Sequence, residues 1–269
     1  MTGKVAALLA ALALAPAMAQ TQDTVLLHAA GSLRGALTEV AKSFEASSGA
    51  KVEMKYGASG LLKDEIVGGA KAEVFASANM EHPHVLTKAG KSGPVVLFAR
   101  NRLCALAKPG LVVEPATLLD VMRDPQVKLG TSTPKADPSG DYAWEVFKKA
   151  DALKPGSIAA LEKKAQQLTG GSSSAPPPAS GRNAYGVFVV EGQADLFLTY
   201  CTNAQVAAAE NPGQRVVALP DALAVGADYG LTVMTNASPG AYRFAMFILS
   251  PEGQRILAKH GFAAPGLPQ

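Results

Sequence analysis

The stretch Ala29-Ala30-Gly31-Ser32-Leu33 lies between an apolar run, Val25-Leu26-Leu27, and a segment in which Leu33, Leu37, Val40, Ala41 and Phe44 recur at helical spacing. It reads as a strand, a small-residue turn and an amphipathic helix, the unit of an α/β protein. Ser32 falls where the helix needs an N-cap. A strand that delivers a serine to a helix start gathers a hydroxyl and several unpaired backbone N–H groups at one point, which suits an anion better than a cation. Capping alone would account for one such serine. The device repeats, however: Lys51-Val52-Glu53-Met54-Lys55-Tyr56 alternates as a strand, Gly57-Ala58-Ser59-Gly60 turns, and Leu61 to Val67 reads as a helix. Two serines at two strand-to-helix turns point to a shared site.

Upstream of this unit, Lys4 supplies a positive n-region, Val5 to Ala15 an apolar h-region, and Ala17-Met18-Ala19 a small-residue cleavage pattern. Residues 1–19 therefore read as a secretory signal peptide, with the mature chain starting at Gln20. The apolar run is too short to span a bilayer, and no cysteine follows it, so a soluble exported product without a lipid anchor is expected. About 250 mature residues suffice for two medium lobes with real cores. A net charge of +3 with dispersed lysines argues against nucleic acid or an anionic membrane as partner. Cys104 and Cys201 are the two cysteines, and an oxidising compartment favours a disulfide between them. Two buried free thiols are the alternative.

Along the chain, strands alternate with helical runs. Glu73 to Ser77 reads as a strand and Glu81 to Ala89 as a helix, and Val95 to Ala107 is an extended run long enough to leave one lobe and enter another. A short helix near Thr117 to Arg123, a strand at Val127 to Gly130, a helix after Asp137-Pro138-Ser139-Gly140 and another over Ile158 to Leu168 follow. Residues 170–181, with Gly-Gly-Ser-Ser-Ser and Pro-Pro-Pro, read as a flexible or polyproline-like insertion. Asn183 to Glu191 reads as a helix, and Leu196 to Tyr200, Arg215 to Leu219 and Tyr229 to Met234 as strands. Helices over Pro239 to Leu249 and Pro251 to Lys259 close the chain.

Six blocks in this order carry a family resemblance: Ala-Ala-Gly-Ser-Leu (29–33), Tyr-Gly-Ala-Ser-Gly (56–60), Ala-Glu-Val-Phe-Ala-Ser-Ala (72–78), Asn-Arg-Leu-Cys-Ala-Leu-Ala-Lys (101–108), Glu-Gly-Gln-Ala-Asp-Leu-Phe-Leu-Thr-Tyr (191–200) and Ser-Pro-Glu-Gly-Gln-Arg-Ile-Leu-Ala-Lys-His-Gly-Phe (250–262). Together they resemble the periplasmic molybdate-binding proteins of ABC importers over nearly all of the mature chain. The resemblance implies an α/β, two-lobed type II periplasmic binding protein fold, with two crossover segments and a central ligand cleft. Lobe 1 would comprise residues 20–101 and 222–269, and lobe 2 residues 102–221. It further implies a monomer that carries molybdate or tungstate to a membrane permease, with no cofactor and no catalysis. Transferred position by position, the family's hydroxyls fall on Ser32 and Ser59, its Pro-Ala-Gly turn donor on Ser139, a further backbone donor on Arg182, and its ligand tyrosine on Tyr200. The position of Arg182 is usually apolar in the family, and a solvated arginine at a helix start is the plain alternative.

A tetrahedral dianion offers only acceptor oxygens. Hydroxyls, a phenol and helix N-termini, each worth about half a positive charge, meet it with donors alone. Other motifs carry less. His82 and His84 flank Pro83, and no carboxylate or cysteine cluster completes a metal ligand set there. Gly57-Ala58-Ser59-Gly60-Leu61 approximates a nucleophile elbow, with its last glycine displaced and no partner histidine in evidence. Asp64 and Glu65 point about 100° apart on a helix and read as a solvated face. Two alternatives therefore stand beside a molybdate carrier: the same fold with another oxyanion or a small carboxylate, and a secreted hydrolase with Ser59 as nucleophile. The processing expectation is checked by intact mass. The exported protein should begin at Gln20, and retention of residues 1–19 would contradict the signal-peptide reading.

Overall fold

The computed structural model describes residues 23–174 and 181–265. The expected signal peptide and its cleavage site lie outside the described residues, as does the centre of the Pro/Ser-rich stretch, 175–180.

The alternation begins as the periodicity predicts: β1 (Thr24–Ala30), α1 (Arg34–Ser48), β2 (Lys51–Gly57), α2 (Ser59–Val67), β3 (Val74–Ser77) and α3 (Glu81–Lys88). β1 runs parallel to β2 on one side and to β3 on the other. A strand so enclosed must be apolar on both faces, and Val25, Leu27 and Ala29 are fully buried while His28 is nearly so. α1 turns Ala36, Leu37, Val40, Ala41 and Phe44 inward and ends at Gly49, whose φ of 72° is the left-handed conformation a C-terminal glycine supplies. Pro83 does not break α3, because it sits in the first turn, where no intrahelical N–H is required.

β4 (Val96–Ala107) is the strand expected to change lobes. After it come α4 (Leu118–Arg123), β5 (Leu129–Ser132), α5 (Pro138–Leu153), α6 (Ser157–Lys164), β6 (Gln166–Thr169), α7 (Ala184–Val190), β7 (Leu196–Tyr200), α8 (Cys201–Glu210), β8 (Arg215–Ala218), β9 (Gly226–Val233), α9 (Pro239–Leu249) and α10 (Pro251–Lys259). The strand order is β2-β1-β3-β9-β4-β7-β5-β6, with β8 also on β4. From Val96 to Arg102, β4 pairs antiparallel with β9; from Leu103 onward it pairs with β7, and from Cys104 with β8. One half of the strand thus completes the sheet of β1, β2, β3 and β9, and the other half the sheet of β5, β6, β7 and β8. The chain returns through residues 219–225 into β9, which makes the second crossing of a two-lobed α/β molecule.

Three local readings are corrected. The helix expected over Ile158 to Leu168 ends at Lys164, and Gln166–Thr169 is a strand that pairs along the edge of β5. The strand expected from Val127 begins at Leu129, because the Lys128 N–H is taken by the Asp195 carboxylate at 2.8 Å. α8 had no helical reading, since its buried face is built from Cys201, Ala204 and Ala207 and carries little apolar contrast.

Cys104 of β4 and Cys201 at the start of α8 form a disulfide, with Cα atoms 4.8 Å apart, packed among Leu106, Phe188, Val189 and Phe197. The bond closes a sequence separation of 97 residues, for which loop entropy gives about 4–5 kcal/mol. Replacing both cysteines by serine should lower the denaturant-derived stability by about 2–5 kcal/mol, measured against the oxidised parent. An unchanged midpoint would show that the cross-link carries no stability.

Candidate functional site

A cavity of about 800 Å³ opens at the ends of both sheets, and Ser32, Ser59, Asp137, Arg182, Tyr185 and Tyr200 are among its walls. Four of the five residues expected at a site are therefore brought together. The fifth, Ser139, lies behind the wall, fully buried.

Ser32 is not the N-cap of α1. It lies in a 3-10 turn, Gly31–Leu33, with Ala30 in the cap position and no side-chain cap, because the chain tightens by one turn before the α-helix begins. Its hydroxyl is instead 3.0 Å from the Tyr229 hydroxyl of β9. The Asn101 amide on β4 donates to Tyr229 at 3.4 Å and to Thr202 at 2.9 Å. Either hydroxyl of the Ser32–Tyr229 pair can donate; when Tyr229 donates, the serine hydrogen is left for the cleft. Neither Asn101 nor Tyr229 carried a sequence signal for this role, since the relay depends on where the two crossing strands meet.

Ser59 is the first residue of α2, with Ala58 in the cap position, so it too caps nothing. Its oxygen accepts the Ala78 N–H at 3.1 Å, which fixes the rotamer and leaves the hydroxyl hydrogen to donate. The next residue makes a contact across the cleft. The Gly60 N–H donates to the Ala136 carbonyl at 2.9 Å, and a Cβ at position 60 would lie 2.4 Å from the Lys135 carbonyl oxygen. Only glycine permits this approach. Tyr142 adds a second, longer contact, from its hydroxyl to the Ala78 carbonyl at 3.4 Å.

On the opposite wall, the helix start after Asp-Pro-Ser-Gly departs from expectation. The Ser139 N–H is not presented to the cleft: it donates to the Asp137 carboxylate at 3.0 Å, which caps α5. An aspartate before a proline at the first helical position is a standard cap pattern, so this signal was present in the sequence. Burial raises the Asp137 carboxyl to about 6; the Ser139 N–H and the Ser132 hydroxyl pull it down, and Asp141 pushes it up. Arg182 is exposed at the rim and donates through its guanidinium to the Asn211 side chain at the end of α8. Beside it Asn183 caps α7, its side-chain oxygen accepting from the Tyr185 N–H at 3.1 Å.

Tyr200 ends β7 and is 2% exposed, between the rings of Tyr142 and Tyr229. Its hydroxyl has no hydrogen-bond partner among the described residues. Burial holds both the Tyr200 and Tyr229 phenols well above their ordinary range, so each remains a hydroxyl at neutral pH.

Residues 25–263 match the family model described as bacterial extracellular solute-binding protein. The chain is 35% identical to the uncharacterized protein PM1146 of Pasteurella multocida (strain Pm70), over 77% of this chain and 86% of that protein. It is 26% identical to the molybdate-binding protein ModA of Mycobacterium tuberculosis (strain ATCC 25618 / H37Rv), over 91% and 87% of the two chains. Among solved structures, the periplasmic molybdate-binding protein of Azotobacter vinelandii superposes with a TM-score of 0.72 at 22% identity, covering 91% of this chain and all of that one. The sulfate-binding protein SubI of Mycobacterium tuberculosis H37Rv does so with a TM-score of 0.74 at 19% identity, covering 91% and 88%. The chain belongs to the bacterial extracellular solute-binding proteins, and its fold is that of the type II periplasmic binding proteins.

The cross-cleft contact at Gly60 is directly testable. Gly60→Ala should push α2 away from the Lys135-Ala136 backbone at a cost of about 1–3 kcal/mol. Solution scattering should report a larger radius of gyration than the parent, and an unchanged radius with unchanged stability would remove this contact from the account.

Proposed function

We propose that this solute-binding protein captures a tetrahedral oxyanion, molybdate or tungstate, between its lobes in the periplasm and hands it to the membrane permease of an ABC importer. The observation that carries the reading is the buried, unpartnered Tyr200 hydroxyl on one wall of a cavity whose opposite wall presents the Ser32 and Ser59 hydroxyls. A buried donor left without a partner costs about 1–3 kcal/mol, and an anion that accepts from it recovers that cost. Full counter-charge is not required, since donors alone satisfy an acceptor-only ligand.

The lobes are taken as residues 20–101 with 222–269, and 102–221 including the 170–181 insertion; β4 exchanges β9 for β7 between Arg102 and Leu103, within one residue of the first boundary. Ser32 and Ser59 then belong to lobe 1, and Ser139, Arg182 and Tyr200 to lobe 2. An anion touching donors on both lobes has a higher affinity for the closed arrangement and shifts the balance toward it. In this chain Arg182 serves at the rim, and the Ser139 N–H contributes once Asp137 releases it. Sulfate is the second reading, favoured by the similarity to a sulfate-binding protein, and the same donor set suits it. A hydrolase is disfavoured: among the described residues no histidine hydrogen-bonds to Ser59, whose oxygen is held by a backbone N–H.

Thermal-shift titration of the mature protein with molybdate, tungstate, sulfate, phosphate and a small carboxylate tests the ligand class. Molybdate and tungstate should give the largest stabilisation, and a panel without any shift would reject the reading. Tyr200→Phe separates binding from folding. It removes an unsatisfied buried hydroxyl, so apo stability should hold or rise slightly, while the ligand-induced shift falls by the equivalent of about 1–3 kcal/mol. A loss of apo stability with an intact ligand shift would contradict the assignment of Tyr200.

A further inference from the structure

An anion site is an unfavourable place for a carboxylate, yet Asp137 lines this cavity together with Ser59 and Tyr200. Its position is built into the fold. One carboxylate oxygen, Oδ1, is committed to the Ser139 N–H at 3.0 Å. The side chain packs against Gly170, where an added Cβ would lie 2.5 Å from the Asp137 Cβ and 2.7 Å from Oδ2. Gly170 has a φ of 81°, so both the conformation and the contact exclude a larger residue. Among the described residues, the Tyr200 hydroxyl in the same cavity has no hydrogen-bond partner, and neither has the fully buried Ser139 hydroxyl behind its wall.

A dianion and an ionised carboxylate in one cavity repel, and the pair is tolerated when one proton is shared between them. We propose that oxyanion capture in this cleft is coupled to the uptake of one proton from solvent, held between Asp137 and the bound anion. The inference rests on the oxyanion reading above and adds the condition under which the site fills. A protonated Asp137 donates to the anion through Oδ2 instead of opposing it, and its hold on the Ser139 N–H weakens, freeing that donor. The groups around the carboxyl are Asp141 on its own helix, Ser132 on β5, Tyr185 on α7 and Tyr200 on β7. Asp141 is acidic and favours protonation, the other three are neutral at physiological pH, and Arg34, Arg182, Glu210 and His260 also line the cavity.

The sign follows from the folded-state value of about 6. Above it the empty site carries an ionised Asp137, and a bound dianion must recruit a proton, so affinity falls as pH rises. Below it the proton is already present, and affinity levels off. Calorimetric titration of the mature protein with sodium molybdate, in buffers of differing protonation enthalpy, reads the coupling directly. The parent should take up close to one proton per anion and bind about tenfold more weakly for each pH unit above about 7. Asp137→Asn keeps an acceptor for the Ser139 N–H but cannot titrate, so it should take up no proton and bind with a flat pH profile. Asp137→Ser, another capping residue, provides the same comparison if the asparagine variant folds poorly. Parent protein that binds molybdate without proton uptake and with constant affinity from about pH 6 to 8 would reduce Asp137 to a helix cap and overturn the proposal. Failure of the parent and both variants to bind molybdate, tungstate or sulfate at any pH would instead reject the oxyanion reading, and this inference with it.

Discussion

One buried hydroxyl that has no partner among the described residues, that of Tyr200, is the constraint around which the cavity is built. Folded interiors rarely leave such a group unsatisfied, so its position has to be enforced by the structure around it. Here β7 is held in register on β4, with Leu103 opposite Tyr200 and Cys104 opposite Thr199. The Cys104–Cys201 disulfide then fixes the residue that follows Tyr200 to the same strand. The aromatic rings of Tyr142 and Tyr229, with centroids 6.2 and 5.6 Å from that of Tyr200, fill the space into which the phenol could otherwise turn. The covalent link and the ring packing hold the hydroxyl in place at the cleft.

The opposite wall uses a different device. Ser32 and Ser59 each have a hydrogen-bond partner of their own: Ser59 accepts the Ala78 N–H and keeps its hydrogen, and Ser32 pairs with the Tyr229 hydroxyl, where either oxygen can donate. Because Tyr229 and Asn101 sit on the two strands that cross between lobes, the orientation of Ser32 depends on the geometry of the crossing itself. Gly60 sets how closely the walls approach, through its bond to the Ala136 carbonyl. Asp137, two residues before Ser139, adds a carboxylate to the same cavity.

Much of the fold was legible in the sequence because it is written in local periodicity. The β1–α1 and β2–α2 units, α9 and α10 follow from apolar spacing and from proline at the first helical position. β4 was legible from its length alone. β6 was not, because Gln166–Thr169 has no alternation of its own and becomes a strand by pairing with β5. The same division holds for the site. Ser32 and Ser59 stand out because small residues interrupt two strands at matching points, although their physical role is not the capping that drew attention to them. Tyr200 came from the family pattern. Tyr229, Asn101 and the cleft-facing role of Asp137 arise from contacts between residues far apart in sequence, which spacing cannot encode.

The central claim is that one anion is held at once by hydroxyls from both lobes. A crystal of the protein grown with molybdate, with diffraction recorded at the molybdenum absorption edge, tests it most directly. The account predicts a single strong anomalous peak in the cleft, with anion oxygens within hydrogen-bonding distance of the Ser32, Ser59 and Tyr200 hydroxyls. A peak bound to one wall only, or no peak in the cleft at saturating molybdate, would contradict it.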